Sequence, residues 1–444
     1  MRNAMTRRGF LATGALAASY AAKGCATNPV TGQTQLMMIS EQQEVTLDRK
    51  NSPHQFSADY GIATDNRLNG YLNTVGRELT SRSHRPAVPY SFQMVNATYV
   101  NAYAFPGGSI AATRGILLEL NNEAELAALL GHEIGHVNAR HTAARMSTMM
   151  LAQLAVAGLA VAAAARDESL GSVAAGLGGI GAGLLLASYS RDDERQADAL
   201  GMEYMTRAGY DPRGMAGLME VLRSMHKEKP SALETMFATH PMSDERYATA
   251  VRRADTEYAS SLGLPMNRER YMDETARLRA MRPAVEKMQN GERLMMKEKP
   301  REAEGEYEAA LKLTPADYAG LLMMAKCQLV QEKFAKAEEY ARRASEAYPG
   351  EAQAKSVLGM ANLRQKKYAK AHENFAEYES MLPGNPNTIF YKGYSLEGMG
   401  DRQRSAKEYY RYLQADRQSK QAQYAYQRLV EWGYIQPEKQ EGKK

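Results

Sequence analysis

The segment HEIGH, which begins at His132, combines two histidines and a glutamate at a spacing that suits metal chemistry. Two histidines four positions apart on a helix project from one face, about one turn apart, so His132 and His136 can bind the same ion. Glu133 then lies beside the metal, where a bound water would be. The preceding segment NEAELAALL, capped by Asn121 or Asn122, predicts the helix that this motif requires. We therefore expect a metal site rather than a pair of surface histidines.

A second acidic pair supplies a candidate for the missing ligand. A catalytic zinc site needs a third protein ligand and an open position for water. Glu194 and Asp198 are four positions apart in ERQAD and share a helical face. We predict Glu194 as the third ligand and Asp198 as the acceptor that orients a ligand histidine through its other nitrogen. The alternative is a solvated charged face, which is how we interpret Asp192 and Asp193.

The surrounding segments predict the elements that position these residues. Residues 40–83 have helical spacing, and Ser40 with Gln43 predicts a capping box. Residues 88–95 alternate and predict a strand. The segment NAYAFPGGSIAAT predicts a hairpin with an edge strand, because Pro is disfavoured at a sheet centre. Such an edge can bind an extended peptide by backbone pairing, and an ordinary hairpin is the alternative.

HEIGH followed at a distance by ERQAD resembles the zinc metallopeptidase family that includes HtpX and the CAAX prenyl proteases. Members of that family carry HExxH followed by an ExxxD element. The resemblance implies one zinc ion per chain, held by His132, His136 and Glu194. It also implies that Glu133 is catalytic, with a catalytic or supporting role for Asp198.

The resemblance covers roughly residues 35–265 and includes THPMSDER, which is similar to the family's His-Pro element. It implies that His240 is a regulatory fourth ligand of the metal. It further implies that Arg246 stabilises a developing oxyanion. The other five histidines have no such support and are predicted not to bind metal: His54, His84, His141, His226 and His372.

Composition and charge exclude several other classes of function. The net charge of +5 is spread along the chain, and no basic block is interleaved with aromatic residues, so nucleic acid is not an expected partner. The two cysteines, Cys25 and Cys327, lie far apart and cannot form a disulfide framework. We interpret Cys327 as a small buried residue.

Residues 1–24 predict an export signal. TRRGFL resembles a twin-arginine signal, and Lys23-Gly24-Cys25 resembles a lipoprotein processing site. Cleavage there would leave Cys25 as a lipidated first residue; the alternative is a spectator thiol. We therefore predict a periplasmic protein with a lipid anchor to the outer membrane. Residues 25–39 are polar with Pro and Gly and predict a tether.

Two uncharged stretches, residues 149–165 and 169–188, are separated by Arg-Asp-Glu. Each is short for a membrane span, and the second is rich in glycine, which weakens a helix in water. We favour an apolar hairpin that packs on the protein or covers the active site. A membrane hairpin, and with it an integral membrane protease, is the alternative.

The carboxy-terminal part has a period of 34 residues that resembles tetratricopeptide repeats. Four units fit, followed by a capping helix, and such repeats form a concave surface suited to holding another chain. A passive structural cap is the alternative. The phased positions are Pro315, Pro349 and Pro383; Ala303, Ala337, Ala371 and Ser405; Gly291, Ala325, Gly359 and Gly393; and Tyr307, Phe375 and Tyr409, with Ala341 as the gap.

The predicted fold class is mainly α (α+β). A zincin-like metalloprotease domain with a small β-sheet is expected at residues 40–265. A connecting segment follows at 266–283, and an α-solenoid of tetratricopeptide repeats with its capping helix at 284–435.

The predicted function is zinc-dependent hydrolysis of peptide bonds in exported polypeptides. A protease domain and repeats behind an export signal resemble the periplasmic proteases that enhance β-barrel assembly. That resemblance implies misassembled or unfolded outer-membrane proteins as substrates, and contact between the repeats and the assembly machinery. The alternative is a periplasmic chaperone or scaffold whose repeats bind partners while His240 keeps the zinc site closed.

Overall fold

A computed structural model describes residues 25–150, 188–228 and 234–436. The chain divides into two compact units. Unit 1 comprises Met1–Gln55, Ala63–Val95 and Tyr99–Arg277, and unit 2 comprises Phe56–Ile62, Asn96–Thr98 and Leu278–Lys444. The predicted export signal and nearly all of the predicted apolar hairpin lie outside the described residues. Within the described ranges, no helix has both the length and the apolar run for a membrane crossing.

Helices make up most of unit 1, and two of their predicted caps are confirmed. Asn122 accepts a hydrogen bond from the amide of Glu125, and the Ser40 and Gln43 side chains each bond the other's amide. Residues 141–150 are also helical. The helices are α1 (Glu41–Ala58), α2 (Asn66–Thr80), α3 (Arg114–Glu119), α4 (Glu123–Ala139), α5 (Arg191–Arg207), α6 (Arg213–Glu228), α7 (Glu234–Thr239), α8 (Asp244–Asp255), α9 (Arg268–Glu274) and α10 (Ala276–Ala280).

The predicted strands form one small sheet of three, in the order β3-β5-β4. Strands β3 (Ser91–Val95) and β5 (Ser109–Thr113) are parallel, while β4 (Ala102–Ala104) pairs with β5 in antiparallel fashion. The hairpin predicted around Pro-Gly-Gly is therefore present. Its turn places Gly108 at a φ of 102°, where a side chain would be strained. Strand β4 lies at the edge of this sheet, as the proline indicated.

Residues 25–39 differ from the tether that we predicted. They contain two short antiparallel strands, β1 (Cys25–Thr27) and β2 (Thr34–Leu36). The Asn28 side chain accepts hydrogen bonds from the backbone amides of Val30 and Thr31 and donates one to the carbonyl of Ala139. An Asn side chain that mimics a turn in this way closes the hairpin. The segment is therefore held against unit 1 rather than extended away from it.

Most of the predicted connecting segment also packs on unit 1. The Tyr271 hydroxyl, fully buried, donates to the carbonyl of Leu117 at 2.6 Å. Asn267 and Arg270 both donate to the buried carboxylate of Glu123, in the first turn of α4. Because a buried carboxylate requires such partners, these contacts fix the segment to the start of the helix that carries HEIGH.

The described residues of unit 2 from Arg282 onward form four helix pairs and a last helix, as the 34-residue period predicted. Small and aromatic phased positions pack together in three of the repeats: a Cβ on Gly291 would meet the Tyr307 ring, one on Gly359 the Phe375 ring, and one on Gly393 the Tyr409 ring. Cys327 is buried, as predicted. The helices are α11 (Arg282–Met296), α12 (Pro300–Leu313), α13 (Tyr318–Val330), α14 (Phe334–Ala347), α15 (Gln353–Arg364), α16 (Tyr368–Met381), α17 (Pro386–Gly398), α18 (Arg402–Ala415) and α19 (Lys420–Glu431).

Candidate metal centre

The two helices that carry the predicted ligands cross closely because small residues line the crossing. A Cβ on Gly135 of α4 would lie 3.0 Å from the Cα of Ala197, and one on Gly201 of α5 would lie 2.9 Å from the amide nitrogen of His132. Gly131 meets Gly201 at a similarly short distance. The two helix backbones can come this close only because glycine places no side chain between them. This crossing brings the acidic residues of α5 beside the histidines of α4.

Four side chains converge at that crossing. His132, His136, Glu194 and His240 each offer one ligand atom, and these atoms all lie within 4.8 Å of one another. The Nε2 atoms of His132 and His136 are 3.1 Å apart. One Glu194 oxygen lies 3.4 Å from Nε2 of His136, and the other lies 3.6 Å from Nε2 of His132. All four residues are buried. Burial lowers the pKa of His136 well below its usual value, which favours the neutral imidazole that a metal requires.

His240 is the fourth member of this cluster. Its Nδ1 lies 3.1 Å from a Glu194 oxygen and 3.3 Å from Nε2 of His132, and its Nε2 lies 3.8 Å from Glu133. Burial lowers the pKa of His240, but the carboxylates of Glu133 and Glu194 raise it to a net value above the usual one. The residue follows α7 directly, and its backbone amide donates to the carbonyl of Met236 at 2.6 Å. That hydrogen bond closes the last turn of α7 and fixes the backbone from which the imidazole projects.

Glu133 lies against the cluster with a carboxylate oxygen that accepts no hydrogen bond among the described residues. The side chain is 1% exposed, so this oxygen is shielded from bulk solvent. Burial raises the pKa of Glu133, while His240 and His132 pull in the opposite direction, and the net pKa lies above the usual value. A buried carboxylate with a free oxygen is suited to taking up a proton.

Asp198 and Arg246 support the ligands from outside. Asp198 accepts from Nδ1 of His132 at 2.9 Å, which is the arrangement that we predicted for it. Arg246 binds both oxygens of Asp198 at 2.7 Å and reaches a Glu194 oxygen at 2.7 Å. Burial raises the pKa of Asp198, but Arg246 and His132 lower it to a net value below the usual one.

The position of Arg246 differs from the oxyanion role that the resemblance implied. Its Nη1, which faces Glu194, also bonds the carbonyl of Pro241 at 2.8 Å. Each nitrogen of the guanidinium is therefore engaged by a carboxylate or a backbone carbonyl. The guanidinium is fixed as a brace between Asp198 and Glu194, because a planar fork matches carboxylates in this way.

Sequence reasoning missed two residues next to the cluster. Nδ1 of His141 lies 2.9 Å from Nδ1 of His136, although we predicted only that His141 is not a ligand. The Tyr189 ring stacks on His136 with centroids 3.7 Å apart. The stacked tyrosine carried no motif. The last histidine of HEIGHVNARH lies five positions after His136, a spacing that does not share a face on a continuous helix, so it gave no signal either.

The remaining residues named from the sequence are not members of the ligand cluster. Within the described ranges, none of the five remaining histidines belongs to a group that could hold a metal ion. The backbone of Cys25 is part of β1, and its lipidation stays a prediction.

Comparison with known proteins places the two regions in families. Residues 66–254 match the family described as Peptidase family M48, and residues 289–352 and 322–386 match Tetratricopeptide repeat. The first match contains HEIGH and ERQAD, and the second covers part of unit 2.

Curated relatives match stretches of 199 to 211 residues. The β-barrel assembly-enhancing protease of Yersinia pestis is 31% identical over 45% of this chain and 42% of its own length. Its counterpart in Escherichia coli K12 is 28% identical over 44% of this chain and 40% of its own length. This chain thus matches less than half the length of either relative. Metalloprotease YcaL of Escherichia coli K12 is 28% identical over 47% of this chain and 75% of its own length.

These matches agree with the metallopeptidase resemblance and the repeats inferred from the sequence. The matched residues include the helix crossing at which the histidine and glutamate side chains meet. The chain therefore contains a peptidase family M48 domain followed by tetratricopeptide repeats.

Proposed function

We propose that the chain is a zinc-dependent metalloendopeptidase that acts on exported polypeptides. The convergence of His132, His136 and Glu194 on one point, with Glu133 beside them, carries this proposal. Two imidazoles and a carboxylate are a known ligand set of zinc peptidases. The family of the domain supports the same chemistry.

The residues present fit a divalent cation. Glu133 has a buried oxygen without a hydrogen bond among the described residues. Three carboxylates meet here, those of Glu133, Glu194 and Asp198, and only one guanidinium, that of Arg246, is buried with them among the residues described. With neutral histidines these groups sum to a charge of −2, which a divalent ion neutralises. The nitrogen-rich donor set favours zinc over magnesium or calcium.

The residues of the chain divide the chemistry between them. Bound zinc supplies a Lewis acid that polarises the peptide carbonyl and lowers the pKa of water. Glu133 accepts a proton from the attacking water as the water oxygen bonds to the carbonyl carbon. Glu133 then donates that proton to the peptide nitrogen as the carbon–nitrogen bond breaks. The products are a carboxylic acid and an amine, so the peptide bond is hydrolysed.

Asp198 and Arg246 position the ligands rather than touch the substrate. Asp198 accepts from His132, so the opposite nitrogen of that ring keeps its lone pair for the metal. Arg246 holds Asp198 and Glu194 in place through the same guanidinium. We therefore propose a positioning role for Asp198 and replace the oxyanion role of Arg246 with a bracing one.

Strand β4 is the proposed binding edge for the substrate. It lies at the edge of the sheet, and its residue Ala104 lines the same small cavity as His136. An extended peptide that paired with this edge would lie beside the metal ligands, with its main chain held by backbone hydrogen bonds.

The proposed setting is the periplasm, with a lipid anchor on Cys25 that tethers the protein to the outer membrane. Two of the relatives are named β-barrel assembly-enhancing protease. By similarity to them, we propose misassembled or unfolded outer-membrane proteins as substrates. The tetratricopeptide repeats support binding of protein partners, and the assembly machinery of the outer membrane is the partner we propose for them.

The test is cleavage of casein by the full-length protein, together with analysis of its metal content. We expect wild-type protein to cleave casein, to lose activity with a chelator and to regain it with zinc. Glu133→Gln should keep the metal but lose roughly 100-fold or more of the activity, because the general base is gone. Glu257→Gln, at an exposed glutamate of unit 1, is the matched control. Unchanged cleavage by Glu133→Gln would overturn the proposal.

A chaperone or scaffold with a closed zinc site is the second candidate, and the position of His240 favours it. A fourth protein ligand would take the position that water needs. If the site is held closed in this way, His240→Ala should cleave casein faster than wild-type protein and bind zinc less tightly. If the scaffold function is the main one, Glu133→Gln should support normal cellular function.

A further inference from the structure

We propose that His141 is a positioning residue that orients the metal-binding ring of His136, an inference that rests on the proposed zinc site. His141 would not touch the metal or the substrate. It would act by accepting a hydrogen bond from the nitrogen of His136 that faces away from the cluster.

The contacts of His141 form a chain that ends at the cluster. Its Nδ1 lies 2.9 Å from Nδ1 of His136. Its Nε2 lies 2.9 Å from the side-chain oxygen of Gln196 and 3.4 Å from a carboxylate oxygen of Asp193. The side chain of His141 is 5% exposed, so its ring nitrogens are shielded from bulk solvent and face these three partners.

These partners determine which nitrogen of each ring carries the proton. Nε2 of His141 bonds the Gln196 side-chain oxygen, which is an acceptor, and the Asp193 carboxylate beside it also only accepts, so Nε2 of a neutral His141 carries the proton and Nδ1 carries a lone pair. Two ring nitrogens 2.9 Å apart need one donor and one acceptor, so Nδ1 of His136 is the donor. Nε2 of His136 then keeps its lone pair and faces the cluster, as a metal ligand must.

The backbone brings His141 to this place by leaving the helix. Five positions separate the two histidines, and on a continuous helix they would not share a face. Helix α4 instead ends at Ala139, and the next residue, Arg140, caps it with a left-handed φ of 59°. Two bonds hold Arg140 there: its Nε donates to the buried Glu44, and its Nη2 donates to the carbonyl of Ile39. The chain then turns back, and His141 faces His136.

Each histidine of HEIGH therefore has its own support, and the two supports differ in charge. His132 donates to the carboxylate of Asp198, while His136 donates to a neutral imidazole. A neutral acceptor fixes the direction of the ring as well as a carboxylate does, without adding a further negative charge to the site. Because the affinity for the metal depends on the orientation of the His136 ring, metal affinity is the quantity that tests this role.

The experiment measures zinc affinity of the full-length protein by competition with a chelating dye. His141→Leu removes the acceptor, and we expect zinc to bind about 10- to 100-fold less tightly. His141→Asn places an amide oxygen near the position of Nδ1 and should recover most of the affinity. Gln196→Leu leaves His141 in place but removes one of its two acceptors, and should weaken binding by a smaller factor.

Thermal unfolding of the metal-free proteins separates orientation from loss of fold. His84→Asn is the matched control, because His84 also bonds a neighbour, the Tyr204 hydroxyl, but lies outside the cluster. Equal zinc affinity of wild-type, His141→Leu and His141→Asn proteins would overturn the role of His141 alone. Equal losses in the Leu and Asn variants, at equal metal-free stability, would also overturn it. Absence of zinc binding by wild-type protein would overturn the proposed function as well.

Discussion

At the residue scale, the proposed metal ligands depend on groups outside the ligand set. Asp198, Arg246 and His141 contact the ligand side chains directly and are themselves buried or nearly so. Buried charges such as those of Asp198 and Arg246 are stable only as a connected set, because removal of one partner leaves the other without compensation. Substitution of these surrounding residues should therefore disturb the site as substitution of a ligand does.

Asp198→Asn tests this dependence. The variant keeps the size of the side chain but removes the charge that faces His132 and Arg246. We expect zinc affinity to fall about 10- to 100-fold, with casein cleavage reduced at limiting zinc and partly restored at high zinc. Asp192→Asn, at the exposed end of the same helix, is the control. Wild-type zinc affinity in Asp198→Asn would contradict the positioning role.

At the element scale, the crossing of α4 and α5 determines whether the ligands meet. The crossing is close because glycine occupies three positions in it: Gly131, Gly135 and Gly201. The distances between the candidate ligand atoms therefore depend on residues that have no side chain. A β-carbon at these positions must push the helices apart, and overpacking of this kind costs about 1–3 kcal/mol.

Gly135→Ala tests the crossing, with Gly70→Ala as the matched control. The new methyl group at Gly135 would lie 3.0 Å from the backbone of Ala197, whereas nothing lies within 4 Å of a Cβ on Gly70 in α2. We expect Gly135→Ala to destabilise unit 1 by about 1–3 kcal/mol and to weaken zinc binding. Gly70→Ala should stabilise the protein by about 0.5–1 kcal/mol through helix propensity. Equal behaviour of the two variants in thermal unfolding and zinc titration would contradict this account.

Ion pairs between neighbouring repeats make the stability of unit 2 depend on pH. Burial raises the pKa of Glu304, but hydrogen bonds from Lys333 and from Gln331 lower it to a net value of about 2. A carboxylate whose pKa is lower in the folded state stabilises the fold above its unfolded pKa. That contribution is lost as the pH falls from about 4.5 towards 2.

Glu304→Gln should therefore destabilise the repeats at pH 7 and have little effect near pH 2. The free energy of unfolding is measured by urea unfolding, followed by the fluorescence of Trp432, the single tryptophan, at the end of the repeats. Glu308→Gln, at an exposed glutamate of the same helix, is the control and should change stability little at either pH. An equal effect of Glu304→Gln at both pH values would show that the ion pair does not contribute as described.

Which features the sequence could predict depends on whether they are local. The period of four along a helix predicts the geometry of His132 and His136, and the same rule applies to Glu194 and Asp198. The repeats were predictable because 34-residue spacing appears at several positions. The contact of His141 was not, because the turn at Arg140 is held by Glu44, 96 positions away. The direction of the Arg246 guanidinium likewise follows from tertiary packing alone.

At the scale of the whole molecule, the two units are not separate in sequence. Two short segments from the first part of the chain, Phe56–Ile62 and Asn96–Thr98, belong to unit 2. Within unit 2, the Gln353 side chain donates to the carbonyl of Ser57, and the Gln289 side chain donates to that of Thr98. Removal of residues 284–444 would leave these segments without their partners. Experiments on function are therefore best made on the full chain with single substitutions.

The most direct test of the account is the zinc content of the purified full-length protein, measured for wild type and for Glu194→Ala. The carboxylate of Glu194 lies far in sequence from HEIGH, and its place in the cluster depends on the fold. We predict about one zinc ion per wild-type chain and much less in Glu194→Ala, because the variant removes the one carboxylate among the four candidate ligands and leaves the buried Arg246 cation uncompensated beside the imidazoles. Glu203→Ala, on the same helix, should keep its zinc. Full zinc content in Glu194→Ala, or a wild-type protein that hydrolyses casein without any bound metal, would contradict the account.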